Sequence, residues 1–391
     1  MKALIRTIPL VLLAMAVAGC GSSSSTPLNG PTIAYLYVVG QGANTIFPFR
    51  SVSDGEIESL SLSFPSNPIP VAMVLHPNKS LVYVANSTSN TVSGYTLNHQ
   101  TGTLTPVGTA IPPSPICPPS PPCATSTPVS VGNDSAGHFL FVLNQGTSSP
   151  AVSASISVFS VDTTRGLLTL VSGSPFILPS LSAGNAQSMV VSPTASFIYV
   201  SNGATGTVAQ ISFNSSGQLT DMGTVAGAAG ANLAGMAIDP KGQFLYVPDS
   251  ANNKVLSFSG ASSGTLTQVA AFALVQTTAE TKPVAVAVDS TGSFLYTANN
   301  GSDNVTALQV SSGNLTEISG SPYSTRGTVV STAAQPSAVI VDATNTIVYV
   351  GNQGSRDVMG FTINSSNGQL KAVANAPFSQ TVGPTALLST R

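Results

Sequence analysis

The chain has 391 residues, of which 42% are hydrophobic and only 7% are charged, with a formal net charge of -2. Typical soluble domains carry roughly 25% charged residues, so Ser, Thr, Asn, Gln and Gly must cover this surface instead. Twelve basic residues form no concentrated basic face, which argues against nucleic acid as a partner. The 35 Gly, the 28 Pro and the absence of Trp are typical of a turn-rich all-β protein.

The first nineteen residues predict an export signal. Lys2 and Arg6 form a basic start, and an apolar segment follows at residues 8–17. This segment is too short to span a bilayer comfortably, whereas its length suits the apolar part of a signal peptide. We therefore expect residues 1–19 to be removed.

The signal ends in Val17-Ala18-Gly19-Cys20, which resembles the bacterial lipobox. The resemblance implies that Cys20 is lipidated and that the membrane is reached through this lipid only. An ordinary secretory signal with an incidental Cys is the alternative. Residues 20–31 are rich in Ser and predict a flexible tether. Gly21 after the Cys, by resemblance to sorted lipoproteins, favours the outer membrane, on its periplasmic side or at the cell surface.

The two remaining cysteines are Cys117 and Cys123, in the stretch ICPPSPPCAT. The compartment beyond the inner membrane is oxidising, so we expect a small disulfide loop here. Two free thiols are the alternative. A metal site is disfavoured, because two Cys between prolines and without a nearby His lack a ligand set.

One apolar run with a central aromatic residue returns seven times along the chain, at intervals of 46 to 58 residues. A period near fifty residues with several strand-like runs per repeat is typical of a propeller blade. The central aromatic residues are Tyr37, Tyr83, Phe141, Tyr199, Tyr246, Tyr296 and Tyr349.

Two further patterns recur with the same count. Short apolar runs such as PVAVAVDS precede the aromatic runs, and Gly-x-Leu/Ile turns such as GTLT follow them. We therefore predict four antiparallel strands per blade: A (small apolar), B (aromatic), C and D (after the glycine). The turn glycines are Gly55, Gly102, Gly166, Gly217, Gly264, Gly313 and Gly368.

The two chain ends predict how the ring closes. No A strand precedes the first B strand at residues 34–39, yet residues 383–390 form an A strand with no B strand after it. The simplest arrangement makes this C-terminal strand complete the first blade, which leaves no open edge. The predicted architecture is one all-β domain, residues 32–391, with seven blades.

The YVxN-type B–C hairpins and the TGxLT-type turns resemble the lactonase-type seven-bladed propellers, which include 6-phosphogluconolactonase-like and YVTN-repeat proteins. The resemblance covers nearly the whole mature chain. It implies a His, a Glu and a pair of Arg on one face in enzymatic members, with Pro-His-x-His opening an A strand and Asn-Glu following a B strand. Here the A strands open with Pro70-Val71-Ala72 and its relatives, and the B strands end in pairs such as Asn86-Ser87. Neither cue is present.

Strand topology predicts which residues share a face. The A–B and C–D turns lie on one face, which we name the A–B face, and the B–C loops and D–A crossovers lie on the other, the B–C face. Propeller sites gather on the B–C face around the axis. His76, His99 and His138 fall in turns of the A–B face and are expected to be solvated. A histidine base, a catalytic triad and a His-ligated copper site are therefore excluded.

Six of the few charged residues are predicted to lie on one sector of the B–C face, in blades 6 and 7. Arginine pairs suit carboxylate or phosphate ligands through bidentate hydrogen bonds, and local ion pairing is the plainer explanation. We name this group the charged sector; it consists of Glu280, Lys282, Asp303, Arg326, Arg356 and Asp357.

A polar residue follows each aromatic at the end of six B strands, and its repetition predicts a turn-forming role. No dense acidic loop suggests a metal site, and no Gly-rich phosphate loop or haem motif suggests a cofactor. The residues at the strand ends are Asn86, Asn144, Asn202, Asp249, Asn299 and Asn352.

Two functions fit these observations. The first is a non-catalytic envelope lipoprotein that binds a protein, a glycan or a small molecule through Lys282, Asp303, Arg326, Arg356 and Asp357; a surface-layer or adhesion role is a variant of it. The second is a divergent lactonase in which Arg326 and Arg356 stabilise an oxyanion and Glu280 activates water.

Overall fold

A computed structural model describes residue 28 and residues 30–112, 127–148, 151–181, 186–260, 263–274, 281–327, 333–380 and 382–391. These residues form the predicted seven-bladed propeller, almost entirely of antiparallel strands. Cys20, Cys117, Cys123 and Glu280 lie outside the described residues, as do the signal peptide and most of the tether.

Each blade is a sheet in which the strands follow one another from the axis outward. In blades 1 to 7, the A strands are Gly383–Thr390, Pro70–Leu75, Thr127–Asn133, Ala186–Val191, Ala237–Ile238, Pro283–Val288 and Pro336–Val341. The B strands are Ala34–Gln41, Leu81–Asn86, Phe139–Gln145, Phe197–Asn202, Phe244–Asp249, Phe294–Asn299 and Ile347–Asn352. The C strands are Thr45–Ser51, Thr91–Asn98, Ser155–Val161, Thr207–Phe213, Lys254–Ser259, Asn304–Ser311 and Asp357–Ile363.

The outermost D strand differs among blades. It is continuous in blades 2, 4 and 5, as Thr103–Ile111, Leu219–Ala226 and Thr267–Ala273. In blades 1, 3, 6 and 7 it is divided into two short pieces, which the sequence pattern did not predict. The pieces are Ile57–Ser59 and Phe64–Pro65, Leu168–Leu170 and Phe176–Ile177, Asn314–Glu317 and Tyr323–Ser324, and Leu370–Ala372 and Phe378–Ser379.

Proline explains the division in three of these blades. Pro175, Pro322 and Pro377 stand between the two pieces and have no N–H to donate to the sheet. The hydroxyl oxygens of Ser174 and Ser321 accept the orphaned C-strand N–H groups, at 2.8 and 3.0 Å. A small hairpin, Thr147–Ser148 with Ala151–Val152, and one 3₁₀ turn, Pro179–Leu181, complete the elements.

The predicted closure of the ring is confirmed. The C-terminal strand pairs antiparallel with the first B strand, with Tyr35 opposite Thr390 and Val39 opposite Ala386. Before the B strand, the carbonyl oxygens of Leu28 and Gly30 accept hydrogen bonds from Arg50, at 2.6 and 3.3 Å. Arg50 also pairs with Glu58 at 2.6 Å. The chain therefore joins the propeller on the A–B face.

The hydrophobic core consists of seven separate clusters, one at each junction between neighbouring blades. Alternate B-strand side chains point into opposite junctions: in blade 2, Leu81 and Tyr83 pack toward blade 3, whereas Val82 and Val84 pack toward blade 1. This explains why B strands are apolar at every position, since both of their faces are buried. The A strands, although composed of small apolar residues, are mostly half-buried.

A hydrogen bond repeats across these junctions. The B-strand tyrosine hydroxyl donates to the carbonyl of the C–D turn glycine in the next blade. The pairs are Tyr37 to Gly102 (2.9 Å), Tyr83 to Gly166 (3.1 Å), Tyr296 to Gly368 (3.2 Å) and Tyr349 to Gly55 (3.0 Å). The aromatic pattern and the glycine pattern of the sequence are therefore two halves of one interblade contact.

Candidate functional site

The five described members of the charged sector lie in loops of the B–C face, and Asp303 is the most buried of them. Asp303 is 3% exposed and adopts the left-handed backbone conformation, φ 53°. Its Oδ2 accepts a hydrogen bond from Nε of Arg326 at 2.8 Å, and Nη2 of Arg326 approaches the same oxygen. Its Oδ1 accepts the backbone N–H of Gln335 at 2.7 Å. The carboxylate is thus fully engaged between the blade 6 loop and the crossover to blade 7.

The equivalent loop position in blade 5 shows that part of this arrangement is structural. Asn253 has the same φ of 53°, and its Oδ1 accepts the backbone N–H of Lys282 at 2.8 Å. Asn and Asp tolerate left-handed φ and bond nearby backbone, so both residues join a B–C loop to the next crossover. The bond from Arg326 is what Asp303 adds to the shared pattern.

Arg356 occupies the same loop position in blade 7, with φ 57°. Arginine carries no acceptor, so it cannot make the bond that Asn253 and Asp303 make. Its side chain is exposed, and its guanidinium forms no ion pair with any residue that the structure describes. The Arg356 carbonyl accepts the backbone N–H of Gln380 at 2.7 Å, so the backbone of this position is anchored while its cationic side chain departs from the local pattern, as is typical of functional sites.

Asp357 follows Arg356 and is buried at the start of a C strand. Burial raises the pKa of its carboxyl above the ordinary value, while a 2.6 Å hydrogen bond from Nδ2 of Asn352 opposes that rise. The same amide donates to the carbonyl of Thr325 at 3.1 Å. The backbone N–H of Thr325 in turn donates to the carbonyl of Asp303 at 3.0 Å. Asp303, Thr325, Asn352 and Asp357 therefore form one hydrogen-bonded chain.

Lys282 borders this chain on the blade 5 side. Its carbonyl accepts the backbone N–H of Asn300, three residues before Asp303. The structure therefore places Lys282, Asp303, Arg326, Arg356 and Asp357 along adjoining loops, and the side chains of Asp303 and Arg326 pair directly. The three cations are exposed and the two carboxylates are buried.

The axial end of the B–C face is built by a bulge at the start of the A strands, a feature that sequence reasoning missed. In six blades, two consecutive residues at the end of the B strand pair with A-strand residues that are two positions apart. One A-strand residue between them is therefore left without a partner in the B strand. Bulges re-aim side chains and occur near active sites. The bulged residues, which we name the axial rim, are Val71, Val129, Gln187, Val284, Ser337 and Thr385.

The axial rim carries no ionisable side chain. Blade 5 has the same one-residue excess between Leu233 and Ala237, where the intervening residues are also uncharged. The Pro-His-x-His cue of the resemblance would place its first His at this rim, directly after the proline. The signal available in the sequence was the proline that directly precedes five of the six bulged residues, because proline interrupts a sheet ladder.

The residues at the B-strand ends have the predicted turn-forming role. All six are buried and bond their own loop or strand C; Asn202, for example, accepts the backbone N–H groups of Ala204 and Thr205. The expectation for His76 was wrong, since it is 1% exposed. Its Nε2 lies 2.7 Å from the carbonyl oxygen of Gly137, so it joins blades 2 and 3. His99 and His138 are exposed as expected.

Seven antiparallel blades, a C-terminal strand that closes the ring and a loop-built polar face define a closed β-propeller of the lactonase type. A model of the family described as "Lactonase, 7-bladed beta-propeller" matches residues 30–119, 185–332 and 236–383. The chain belongs to this family.

Solved structures with the same fold include the periplasmic gluconolactonase PpgL of Pseudomonas aeruginosa. It is 19% identical with a TM-score of 0.75, and the match covers 92% of this chain and 99% of that one. A Bacteroides uniformis protein proposed to be a 6-phosphogluconolactonase is 17% identical with a TM-score of 0.72, covering 91% and 99%. At these identities the likeness concerns the fold. No curated protein sequence matches the chain.

Two features are absent from the part of the chain that the structure describes. Within the ranges given above, no helix has the length and apolar character to cross a membrane. Across the same residues, no group of three or more His, Cys, Asp or Glu side chains could hold a metal ion.

Proposed function

We propose that this chain is a non-catalytic binding module of the cell envelope, and that its charged sector binds a ligand carrying a carboxylate or phosphate group. The observation that carries this proposal is the arrangement of charge: Lys282, Arg326 and Arg356 are exposed, whereas Asp303 and Asp357 are buried and engaged internally. The surface offered to a ligand is therefore cationic. Arginine forks match carboxylate and phosphate oxygens in pairs.

The uncharged axial rim supports binding over catalysis. General acid–base chemistry needs a titratable group within hydrogen-bond reach of the reacting atoms. None of the rim residues can supply one, and the carboxylate nearest Arg326 already accepts bonds from that arginine and from Gln335. A ligand held beside Arg326 therefore meets hydrogen-bond donors, and the Asp303 carboxylate is not free to act as a base.

Titration calorimetry tests the proposal with D-gluconate and 6-phosphogluconate as anionic probes and a soluble chain of residues 21–391. We expect saturable binding that weakens at least tenfold, about 1.4 kcal/mol, in Arg356→Ala. Arg165→Ala is the matched control, because Arg165 is an exposed arginine in a C–D turn of the opposite face. Equal weakening in the control, or no binding of either anion, contradicts the proposal.

A divergent lactonase is the second candidate, and membership of the lactonase family favours it. Arg326 and Arg356 would stabilise the oxyanion, and Glu280 or Asp357, whose pKa burial raises, would act as the base. Hydrolysis of D-glucono-1,5-lactone and other lactones separates the two functions. Turnover above buffer that is abolished in Arg326→Ala or Arg356→Ala would establish catalysis and remove the first proposal.

The envelope location is part of the same proposal and rests on Cys20. The chain joins the propeller on the A–B face, beside Arg50, which is the face opposite the charged sector. Labelled palmitate should enter the protein in cells and be absent from Cys20→Ser. Incorporation that persists in the variant contradicts lipidation at Cys20.

We also propose a Cys117–Cys123 disulfide. The protein purified from the oxidising compartment and denatured without reductant should then contain no reactive thiol. Two reactive thiols per chain would show that the cysteines are free.

A further inference from the structure

The segment that precedes the first B strand is held to the A–B face of blade 1 by one arginine. The guanidinium of Arg50 donates hydrogen bonds to the backbone carbonyls of Leu28 and Gly30, at 2.6 and 3.3 Å. Its Nε donates to the carboxylate of Glu58 at 2.6 Å, and the two side chains of this ion pair are 21% and 22% exposed. Glu58 therefore fixes the direction of Arg50, and Arg50 fixes the backbone. We name these four residues the Arg50 clamp.

Two further contacts connect the clamp to the sheet. The backbone N–H of Ile33 donates to the carbonyl of Ser51 at 2.9 Å. Gly30 lies against Val52, because a Cβ at this glycine would be 3.5 Å from the Val52 side chain. Ser51 ends the C strand of blade 1 on the A–B face. The chain therefore leaves the propeller at a defined point on this face, at Leu28.

The length of the chain between Cys20 and Leu28 limits where a lipid on Cys20 can lie. Eight peptide units separate the two residues. A flexible Ser-rich chain of this length spans about 16 Å on average, and a fully extended one spans about 28 Å. The first B strand, Ala34–Gln41, runs from the A–B face to the B–C face over about 26 Å. The tether is thus too short to pass around the edge of blade 1 and reach the plane of the B–C face without being stretched almost fully.

The charges of the A–B face give no second means of holding a membrane. Acidic side chains outnumber basic ones in the described A–B and C–D turns, and the basic ones are Lys79, Arg165 and Lys241. Membrane surfaces that carry a net charge are anionic, so this face is not drawn to lipid headgroups. Any fixed orientation of the propeller on a membrane must therefore come from the tether and the clamp.

We propose that the Arg50 clamp orients the propeller on its membrane, with the A–B face toward the bilayer and the charged sector directed away from it. The inference rests on the lipidation of Cys20 proposed above. It also defines the partner of the charged sector more closely. An anionic ligand of Arg326 and Arg356 is a soluble molecule or belongs to a facing surface, because the headgroups of the anchoring bilayer are out of reach of the B–C face.

The test measures the distance of each face from a bilayer. Residues 20–391, with Cys117 and Cys123 replaced by Ser, are coupled through Cys20 to a maleimide lipid in phosphatidylcholine vesicles. A fluorescent label is attached through an azide-bearing amino acid at Ser80 or at Thr88, exposed positions at opposite ends of the blade 2 B strand. Lipids with a nitroxide on the headgroup should quench the Ser80 label about twofold more strongly than the Thr88 label, because the length of the strand separates the two positions.

Two changes should reduce this difference. Arg50→Ala releases Leu28 and Gly30 and should reduce the difference by about half, because the free tether then extends to Ile33. Arg165→Ala removes an exposed arginine of the same face and is the matched control, which should keep the difference. Inserting about twenty Gly and Ser residues after Ser25 lengthens the tether without changing the propeller and should make the quenching of the two labels equal.

Equal quenching of the two labels in the parent chain, or stronger quenching at Thr88, refutes the proposed orientation. A difference that persists in both Arg50→Ala and the lengthened chain refutes the role of the clamp. Coupling to the maleimide lipid does not require lipidation by the cell, so failure here is distinct from failure of the palmitate experiment with Cys20→Ser. Gluconate binding by the charged sector is measured on the same vesicles, which separates the orientation from the proposed binding function.

Discussion

The junctions between blades 5 and 6 and between blades 6 and 7 begin from the same parts. Each has a phenylalanine at the start of the B strand (Phe244 or Phe294), a tyrosine two residues later, and a turn glycine from the next blade against the phenylalanine ring. In the second junction Tyr296 bonds Gly368, whereas in the first Tyr246 has no partner among the described residues and a cavity remains. The two junctions therefore differ in whether one buried hydroxyl finds a partner, although their aromatic and glycine residues correspond.

The same pair of junctions differs on the B–C face. Asn253 joins the blade 5 loop to the next crossover, and Asp303 does the same in blade 6 with a carboxylate that also holds Arg326. Replacing an amide with an acid thus converts a structural position into one that orients a cation at the surface. Both differences show that side-chain contacts can change in a repeat whose core remains constant.

The largest expected effect compares the two turn glycines. A Cβ on Gly368 (φ 72°) would lie 2.4 Å from the Phe294 ring, so Gly368→Ala combines backbone strain with overpacking, and we expect a loss of about 3 kcal/mol. Gly313→Ala meets Phe244 at 2.6 Å, but that ring can shift into the cavity, and we expect about half the loss. Urea unfolding measures both. Equal losses would mean that the cavity gives the ring no freedom.

Two variants of Asp303 should separate the contribution of its hydrogen bond with Gln335 from that of its ion pair with Arg326. Asp303→Ala removes both and leaves a backbone N–H without a partner, so we expect a loss of about 2 kcal/mol. Asp303→Asn keeps the bond to Gln335, as Asn253 does to Lys282, and should lose less than about 1 kcal/mol because Arg326 remains half-exposed. Thermal unfolding of both variants gives the comparison. A similar loss in each would assign the main contribution to the ion pair.

The tyrosine pair tests the missing hydrogen bond directly. Tyr296→Phe removes the donor to Gly368 and should reduce the free energy of unfolding by about 1 kcal/mol. Tyr246→Phe removes a buried hydroxyl with no partner among the described residues, so we expect no loss of stability. The midpoints of denaturant unfolding compare the stabilities of the two variants. A loss of stability in Tyr246→Phe would show that the Tyr246 hydroxyl already has a hydrogen-bond partner.

Arg356→Asn should raise stability slightly while it weakens binding of anions. Asn accepts the positive φ of this position more readily than Arg and has the acceptor that Asn253 uses. We expect a gain of about 0.5 kcal/mol, a size typical of substitutions that relieve functional strain. Thermal unfolding and gluconate titration should move in opposite directions; a loss in both would make Arg356 a structural residue.

The pH dependence of Asp357 gives the smallest effect. Burial raises its folded-state pKa above the unfolded value, so its contribution to stability is fully present below the unfolded pKa and is lost as pH rises through the folded pKa. Asp357→Asn has no carboxyl to titrate, so its stability does not fall in this way as the pH rises. The stability of the variant relative to the parent should therefore increase from about pH 3 upward, near the unfolded pKa, and level off, as measured by urea unfolding across that range. An unchanging difference would indicate that the carboxyl titrates normally.

Much of the candidate site was visible in the sequence because it depends on chain topology. The positions of Lys282, Asp303, Arg326 and Arg356 on one face follow from the order of strands in each blade. Their contacts were not visible: the bond from Arg326 to Asp303 spans 23 residues, and the bond from Gln335 spans 32. Such contacts depend on how two loops approach each other, which no local pattern encodes.

His76 illustrates the same limit. Its turn is polar and predicts a solvated residue, yet the neighbouring blade covers it and Gly137 provides its partner. Burial in a propeller is decided by the adjacent blade, which comes from a distant part of the sequence. The divided D strands show the same limit. The prolines are visible in the sequence, but their effect depends on their position in the outermost strand of a blade, where a sheet tolerates a missing N–H group.

By itself, the sequence determined the number of blades, the alternation of buried side chains, the turn glycines and the strand that closes the ring. These follow from short-range periodicity and from counting repeats. Only the tertiary structure decided which hydroxyls and carboxylates find partners, where a cavity remains and which cations stay at the surface. The physical reason is that each blade buries its faces against its neighbours, so the surroundings of Tyr246 in blade 5 include the two-residue C–D turn of blade 6, Ser312 and Gly313.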